Sequence, residues 1–493
     1  MRNNLINNCR ELLKAVSLSP YGVDSSNFFY PPWIGPTYLS HGKGTYVYDL
    51  DGNKYIDCLL GFGSVLLGHN CEGIENTVVK KMKNGVHLGL TNALQNTLTK
   101  EILSLYPMCD MVQYFKTGSD ACSAAIRIAR IVSKKSVIFT SGYHGWHDDF
   151  MYSMNPNGIP HPPACYDFKY NLRELQKLFK TYSGDVAAVF LEPNARTNRV
   201  YLSIIKELCR KNDALFMLDE MKTGFRVSLG GVQELYCISA DITTVGKALS
   251  NGFPLACVLG SEKCMLGFNS TSTSSTHATN IVDIQAALEC IQTIKRDNVI
   301  TKISEIGSEV IVRVNSMAKQ YGITNFKLDD FTQMPRINII EQNAGLNLNW
   351  LLAKEGLICN KERLYLCAAL CLCDIDEIVR AFKNALLSFE SLDKYPVERI
   401  STCDYVIEVI KSSYFRLLDD WILDKNNERF FNVSEQKIVA IETEFWYYCV
   451  GLHNDMYKQI KLGELAYHEQ FKVSLYFSYL LCCGIIKCKN DIM

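Results

Sequence analysis

The sequence lacks a charge of one sign. Its 51 Lys+Arg against 52 Asp+Glu leave a formal net charge of −1, so nothing global attracts nucleic acid or an anionic membrane. It lacks a long apolar run. Residues 473–486 form the longest, which Ser474 and Ser478 interrupt, and it falls short of the ~20 residues a membrane-spanning helix needs. It lacks an apolar leader, since MRNNLINNCRELLK is polar. With no cleavable signal, a cytoplasmic protein is expected. No repeat, low-complexity tract or long charge run occurs. Paired C-x-x-C spacing is missing too, although there are 20 cysteines. No metal site is therefore expected, and the thiols read as small buried hydrophobes in a reducing compartment.

What is present is globular. The chain has 493 residues, 48% hydrophobic and 21% charged, which is more than one domain's length and excludes disorder as the main state. Residues 1–30 read as an amphipathic helix and a loop. The run GTYVYDLDGNKYID, 44–57, reads as a β-hairpin turning at Asp51-Gly52. From 70 to 285, short apolar runs alternate with helical segments. The strand candidates are 112–115, 136–140, 186–191, 215–218, 242–245 and 256–259. This pattern predicts an α/β class, with a mainly parallel sheet covered on both faces. Residues 286–390 read as a smaller α+β lobe. Residues 391–493, with helical spacing in 405–424 and 435–459, read as a mostly helical extension. The expected division is 1–69, an N-terminal segment and hairpin; 70–285, the large domain; 286–390, the small domain; and 391–493, the extension.

Several segments carry chemistry. LFMLDEMKTGFR, 215–226, ends an apolar strand at Asp219, at the carboxyl edge where open α/β sheets bind ligands. TTVGKALSNGFP, 243–254, puts Lys247 just past the next strand. Neighbouring strands that present a carboxylate and a lysine suit pyridoxal phosphate. The amine forms a Schiff base with the aldehyde, and the carboxylate keeps the pyridine nitrogen protonated. Alone, either residue reads equally as a strand-end salt-bridge partner. YFKTGSDACSAAIRIAR, 114–130, leads a strand through Gly118-Ser119-Asp120 into a helix whose N-terminus favours a phosphate, or is simply capped. In TSGYHGWHDDF, 140–150, Tyr143 can lay its ring on a pyridine face. His144 and His147 read as metal ligands or general bases, on weak spacing. Glu192, ending the strand in VAAVFLEPN, 186–194, reads as a supporting group or a structural partner.

Together these motifs resemble the class III pyridoxal-phosphate aminotransferases, of fold type I, and most closely the glutamate-1-semialdehyde 2,1-aminomutase-like branch. The likeness runs from about 30 to 390. It follows the order GxxxxDxDGxxYID at 44–57, GH at 68–69, the phosphate turn at Gly118-Ser119, YHG at 143–145, EP at 192–193, DExxTGFR at 219–226 and GK at 246–247. The resemblance implies that Lys247 is the Schiff-base lysine and proton shuttle and that Asp219 pairs with the pyridine nitrogen. It implies that Tyr143 covers one ring face and Met221 the other, and that Gly118 and Ser119 hold the phosphate. His144 and Glu192 stand beside the cofactor. Thr276 reaches the neighbouring subunit's phosphate, which implies a homodimer with shared sites. The chain departs from the family at Asn194-Ala195-Arg196-Thr197, where a gating glutamate is absent, and at His41, which stands where the aminomutases have a substrate-side arginine. Phe62 reads equally as core or as a substrate-side residue.

Three functions follow as expectations. The first is transfer between an amino donor and an oxo acceptor. The second is intramolecular exchange by an aminomutase, with residues 147–165 as a lid. The third is an inactive relative that binds a partner through 391–493. The intact Lys247 and Asp219 argue against the third.

Overall fold

The computed structural model describes residues 5–24, 30–159, 163–278, 280–339, 345–389 and shorter stretches of 406–488. The chain enters through a helix, Ile6–Ala15, and then forms β1 (Leu39–Lys43), β2 (Tyr46–Asp49) and β3 (Lys54–Cys58). Gly52, at φ 81°, supplies the left-handed residue that the turn between β2 and β3 requires.

The large sheet comprises β4 (Met111–Phe115), β5 (Val137–Ser141), β6 (Cys165–Asp167), β7 (Val186–Leu191), β8 (Leu215–Asp219), β9 (Ile242–Val245) and β10 (Ala256–Gly260), in the order β4-β10-β9-β8-β7-β5-β6. β5, β6, β7, β8 and β9 pair parallel. β10 runs antiparallel to both neighbours, so β4 points with the rest. β5, β7 and β10 are buried along their whole length, which is why their sequences read as unbroken apolar runs rather than alternating ones. Two apolar layers lie on the sheet. One includes Phe139, Val189, Phe216 and Leu259; the other includes Ile138, Ala188, Phe190 and Met217. The α/β class of the sequence reading holds, and six of the seven strands lie where the apolar runs put them. β6, a three-residue edge strand after a proline-rich stretch, has no such run.

The smaller lobe contributes β11 (Phe326–Asp329), β12 (Arg336–Ile339) and β13 (Leu357–Cys359). β13 pairs parallel with β3, so the N-terminal hairpin and the later lobe share one sheet.

The extension differs from expectation. Among its described residues are four four-residue strands, Tyr414–Leu417, Trp421–Asp424, Arg429–Asn432 and Lys437–Ala440. A buried helix, Tyr467–Cys482, follows. The described residues of the extension are mixed rather than mostly helical. Short apolar runs fit either periodicity, and here hairpin pairing decided between them. The Tyr467–Cys482 helix packs on the Ile6–Ala15 helix in a separate core, where Leu12, Val16 and Trp33 meet Phe415, Phe477 and Leu480. Asn8 ties this N-terminal helix to the hairpin. Its amide donates to Asp51 Oδ2 at 3.1 Å, and its Oδ1 accepts from the Tyr38 N–H at 2.8 Å.

Most described cysteines are buried and free. Cys371 and Cys373 are instead disulfide-bonded, with Cα atoms 5.5 Å apart, within the usual bridging range. Among the described residues no helix is long and apolar enough to cross a membrane.

Candidate active site

Five loops leave the carboxyl edge of the large sheet, and they carry the cofactor-side residues singled out above other than Thr276. β8 ends at Asp219, which is 1% exposed. In register beside it on β9 is Thr244, whose hydroxyl donates to Asp219 Oδ1 at 3.0 Å. The Met221 N–H donates to the same oxygen at 3.1 Å. From the loop after β5, His144 brings Nδ1 to 2.7 Å from Asp219 Oδ2. Its ring stacks on Phe190, with centroids 4.4 Å apart. Burial pushes the Asp219 carboxyl up, but the His144 hydrogen bond and charge, with Met221 and Thr244, outweigh it. The net result lies below the usual carboxylate range. Asp219 is therefore a buried anion held by several donors.

β9 ends at Val245, and the chain turns through Gly246 to Lys247. A Cβ on Gly246 would meet Met221 Sδ at 2.8 Å, and one on Gly118 would meet it at 3.2 Å, so Met221 sits tightly between the two loops. Lys247 Nζ donates to the Phe62 carbonyl at 3.1 Å and has no carboxylate partner among the described residues. Burial first, and then the Lys222 ammonium, lower the Lys247 amine to about 8, against an opposing pull from Glu192 and Asp219.

The helix Gly118–Ser133 begins at the end of β4, capped by Thr117, whose side chain accepts the Asp120 N–H at 3.1 Å. The Gly118 and Ser119 N–H groups are thus at a sixteen-residue helix N-terminus, where an anion is favoured. Tyr143 is half exposed, and its N–H donates to Glu192 Oε2 at 3.1 Å. The other Glu192 oxygen meets Lys222 Nζ.

Asp219, His144, Met221, Gly118, Tyr143, Glu192 and Lys247 are brought together. Thr276 is not joined to them by a hydrogen bond; it lies exposed in the turn before the helix Ile281–Arg296. His147 also stands apart, its Nδ1 2.9 Å from Ser123 Oγ. His41 stacks on Tyr48 in the exposed hairpin. Three neighbours were not singled out by spacing: Thr244, Lys222 and Cys122, whose thiol lies 3.4 Å from Asp219 Oδ2. Thr244 was readable as the strand residue beside Asp219; Cys122 gave no signal.

The model of the family described as Aminotransferase class-III matches residues 30–386. The chain belongs to the class-III aminotransferase family. A 3-aminobutyryl-CoA aminotransferase of Cloacimonas acidaminovorans is 34% identical, over 68% of this chain and 83% of that protein. A glutamate-1-semialdehyde 2,1-aminomutase of Hyperthermus butylicus is 31% identical, over 63% of this chain and 78% of that protein. Among solved structures, one titled as a transaminase with PLP bound covers 79% of this chain and 99% of its own, at TM-score 0.73 and 19% identity. The β-phenylalanine aminotransferase from Variovorax paradoxus covers 78% of this chain and 95% of its own, at TM-score 0.71 and 20% identity. These likenesses give the fold type I architecture. The cofactor of this class-III enzyme is pyridoxal phosphate, and the donor set fits it. The site offers a part-buried amine with no acidic partner among the described residues, a buried anion, a half-exposed aromatic ring and a helix N-terminus, with Gly118 and Gly246 packed closely on Met221.

Proposed function

We propose that the enzyme moves an amino group between an amino donor and an aldehyde or keto acceptor, with Lys247 as the cofactor-bearing residue. The observation that carries this is the placement of Asp219 and Lys247 at the carboxyl ends of adjacent parallel strands, the first held anionic and the second pushed toward its neutral form. When bound, pyridoxal phosphate supplies an aldehyde for amine exchange and a cationic ring that accepts electrons as the substrate C–H bond breaks.

The protein's residues do the rest. Lys247 Nζ would hold the cofactor's aldehyde, and its amine, lowered toward the neutral form, would take up and return the substrate proton. Asp219 would keep the cofactor's ring nitrogen protonated, and His144 Nδ1 fixes Asp219 from 2.7 Å. Tyr143 and Met221 would flank the cofactor ring, and Glu192 holds the Tyr143 loop. Gly118 and Ser119, at the helix N-terminus, would donate N–H groups to the phosphate. Thr276, exposed in one subunit, would reach the phosphate of a second, making the working unit a homodimer. The large domain is 70–285, with the smaller lobe at 286–390, and the cytoplasm is its compartment.

Lys247→Ala should abolish covalent cofactor attachment and lower turnover by at least about 100-fold. Wild-type turnover in this variant would overturn the reading. A second reading, intramolecular exchange, is favoured by the aminomutase relatives. Turnover of a single amino-oxo compound with no second acceptor separates it from transfer. The donor panel should include a β-amino thioester, given the 34% identity to a 3-aminobutyryl-CoA aminotransferase.

A further inference from the structure

Two thiols meet where the beginning of the chain packs on its extension. Cys9 is on the buried face of the Ile6–Ala15 helix, and Cys482 is the last residue of the Tyr467–Cys482 helix. Their sulfurs lie 3.3 Å apart. Both face one acceptor, the Pro32 carbonyl, at 3.3 Å from Cys9 Sγ and 3.6 Å from Cys482 Sγ. The helices that carry them share the second core, so the fold itself brings the pair together. A disulfide of about 2.0 Å asks the sulfurs to approach by roughly a further 1.3 Å.

The two thiols differ in access. Cys9 is buried, whereas Cys482 is partly exposed. The hydrogen bond to Cys482, and then burial, push the Cys9 thiol well above its usual range. An oxidant from solvent therefore meets Cys482 first, and Cys9 waits behind it.

We infer that Cys9 and Cys482 form a redox-operated fastener that joins the entry helix covalently to the extension. The oxidant is a low-molecular-weight disulfide. The Cys482 thiolate attacks it, one small thiol leaves, and a mixed disulfide forms. The Cys9 sulfur then attacks the Cys482 sulfur and displaces the second small thiol, which takes the Cys9 proton. Two S–H bonds and one S–S bond break, one protein disulfide forms, and two electrons pass to the oxidant. In a reducing compartment the pair stays open. Closing it ties a loop that spans nearly the whole chain, and a long loop restricts the unfolded state most. None of this depends on Lys247.

The test treats the full-length holoenzyme with oxidised glutathione, blocks remaining thiols and maps the peptides by mass spectrometry. A peptide joining Cys9 to Cys482 should appear and be lost on reduction with dithiothreitol. The urea midpoint for exposure of the extension to protease should rise by on the order of 1 M in the oxidised protein. Cys9→Ala and Cys482→Ala should show neither the link nor the rise, and Cys483→Ala should keep both. If Cys9→Ala does not fold, Cys482→Ala, at the partly exposed position, decides. Three results overturn the inference: glutathione left on Cys482 with Cys9 still free, a link that runs through Cys483 instead, or a rise in midpoint that survives in Cys482→Ala. A Cys9–Cys482 link without any rise overturns the fastening role.

Discussion

Two consecutive carboxylates, Asp219 and Glu220, are both buried and are pushed in opposite directions. Asp219 accepts from His144, Thr244 and Met221 and is held low. Glu220 is pushed up to about 7 by burial, against hydrogen bonds from Thr223, Val232 and Gln233. The consequences for stability have opposite signs. Asp219 stabilises the fold above the unfolded carboxylate range, and that contribution is lost as pH falls through its depressed folded value. Glu220 holds a proton in the folded chain that the unfolded chain releases above about 4.3, so its contribution falls as pH rises from there to about 7. Glu220→Gln should therefore flatten the decline in melting temperature across that interval, read by thermal melts at a series of pH values. A decline equal to that of the wild type would refute the assignment. The pairing of His144 with Asp219 was not legible in the sequence, because 75 residues separate them and only the sheet order brings their loops together. Asp219 was legible alone, as the last residue of an apolar strand, whereas His144, three residues past β5, read only as a metal ligand or general base on weak spacing.

At the scale of elements, the strands that build the site announce themselves as apolar runs that end in a polar or glycine residue: β4 before Thr117-Gly118, β8 at Asp219 and β9 before Gly246-Lys247. The physical reason is burial on both faces, which leaves chemistry only at the strand ends. The extension lacked that clarity. Its runs are four residues long, too short for one period to exclude the other. The helix Gly118–Ser133 provides an element-level test. Thr117→Ala removes the side-chain cap on the Asp120 N–H and should cost about 1 kcal/mol of stability. If the Gly118 and Ser119 N–H groups hold the cofactor phosphate, the same variant should bind pyridoxal phosphate more weakly while its affinity for unphosphorylated pyridoxal changes little. Equal losses for the two ligands would remove the phosphate from this helix end.

At the scale of the molecule, the described residues form a large core around the sheet and a second core in which the extension packs on one face of the Ile6–Ala15 helix. Phe477 is fully buried in the second core. Phe477→Ala should cost about 3–5 kcal/mol there, seen as a lower urea midpoint for exposure of the extension to protease. The pH response of the holoenzyme absorbance should stay as in the wild type, because Lys247 lies beside Ala248 and Leu249 of the first core. A change in that response would show that the extension acts on the catalytic lysine.

The second core also carries a consequence for biosynthesis. Cys9 and Cys482 touch across 473 residues of chain. At roughly 5–20 residues per second, a ribosome needs on the order of half a minute to make what lies between them. The stripe of Leu12, Leu13 and Val16 emerges early and is covered late. During that interval it is exposed to any holdase that recognises apolar helices, and the order of manufacture is the reverse of the order of burial.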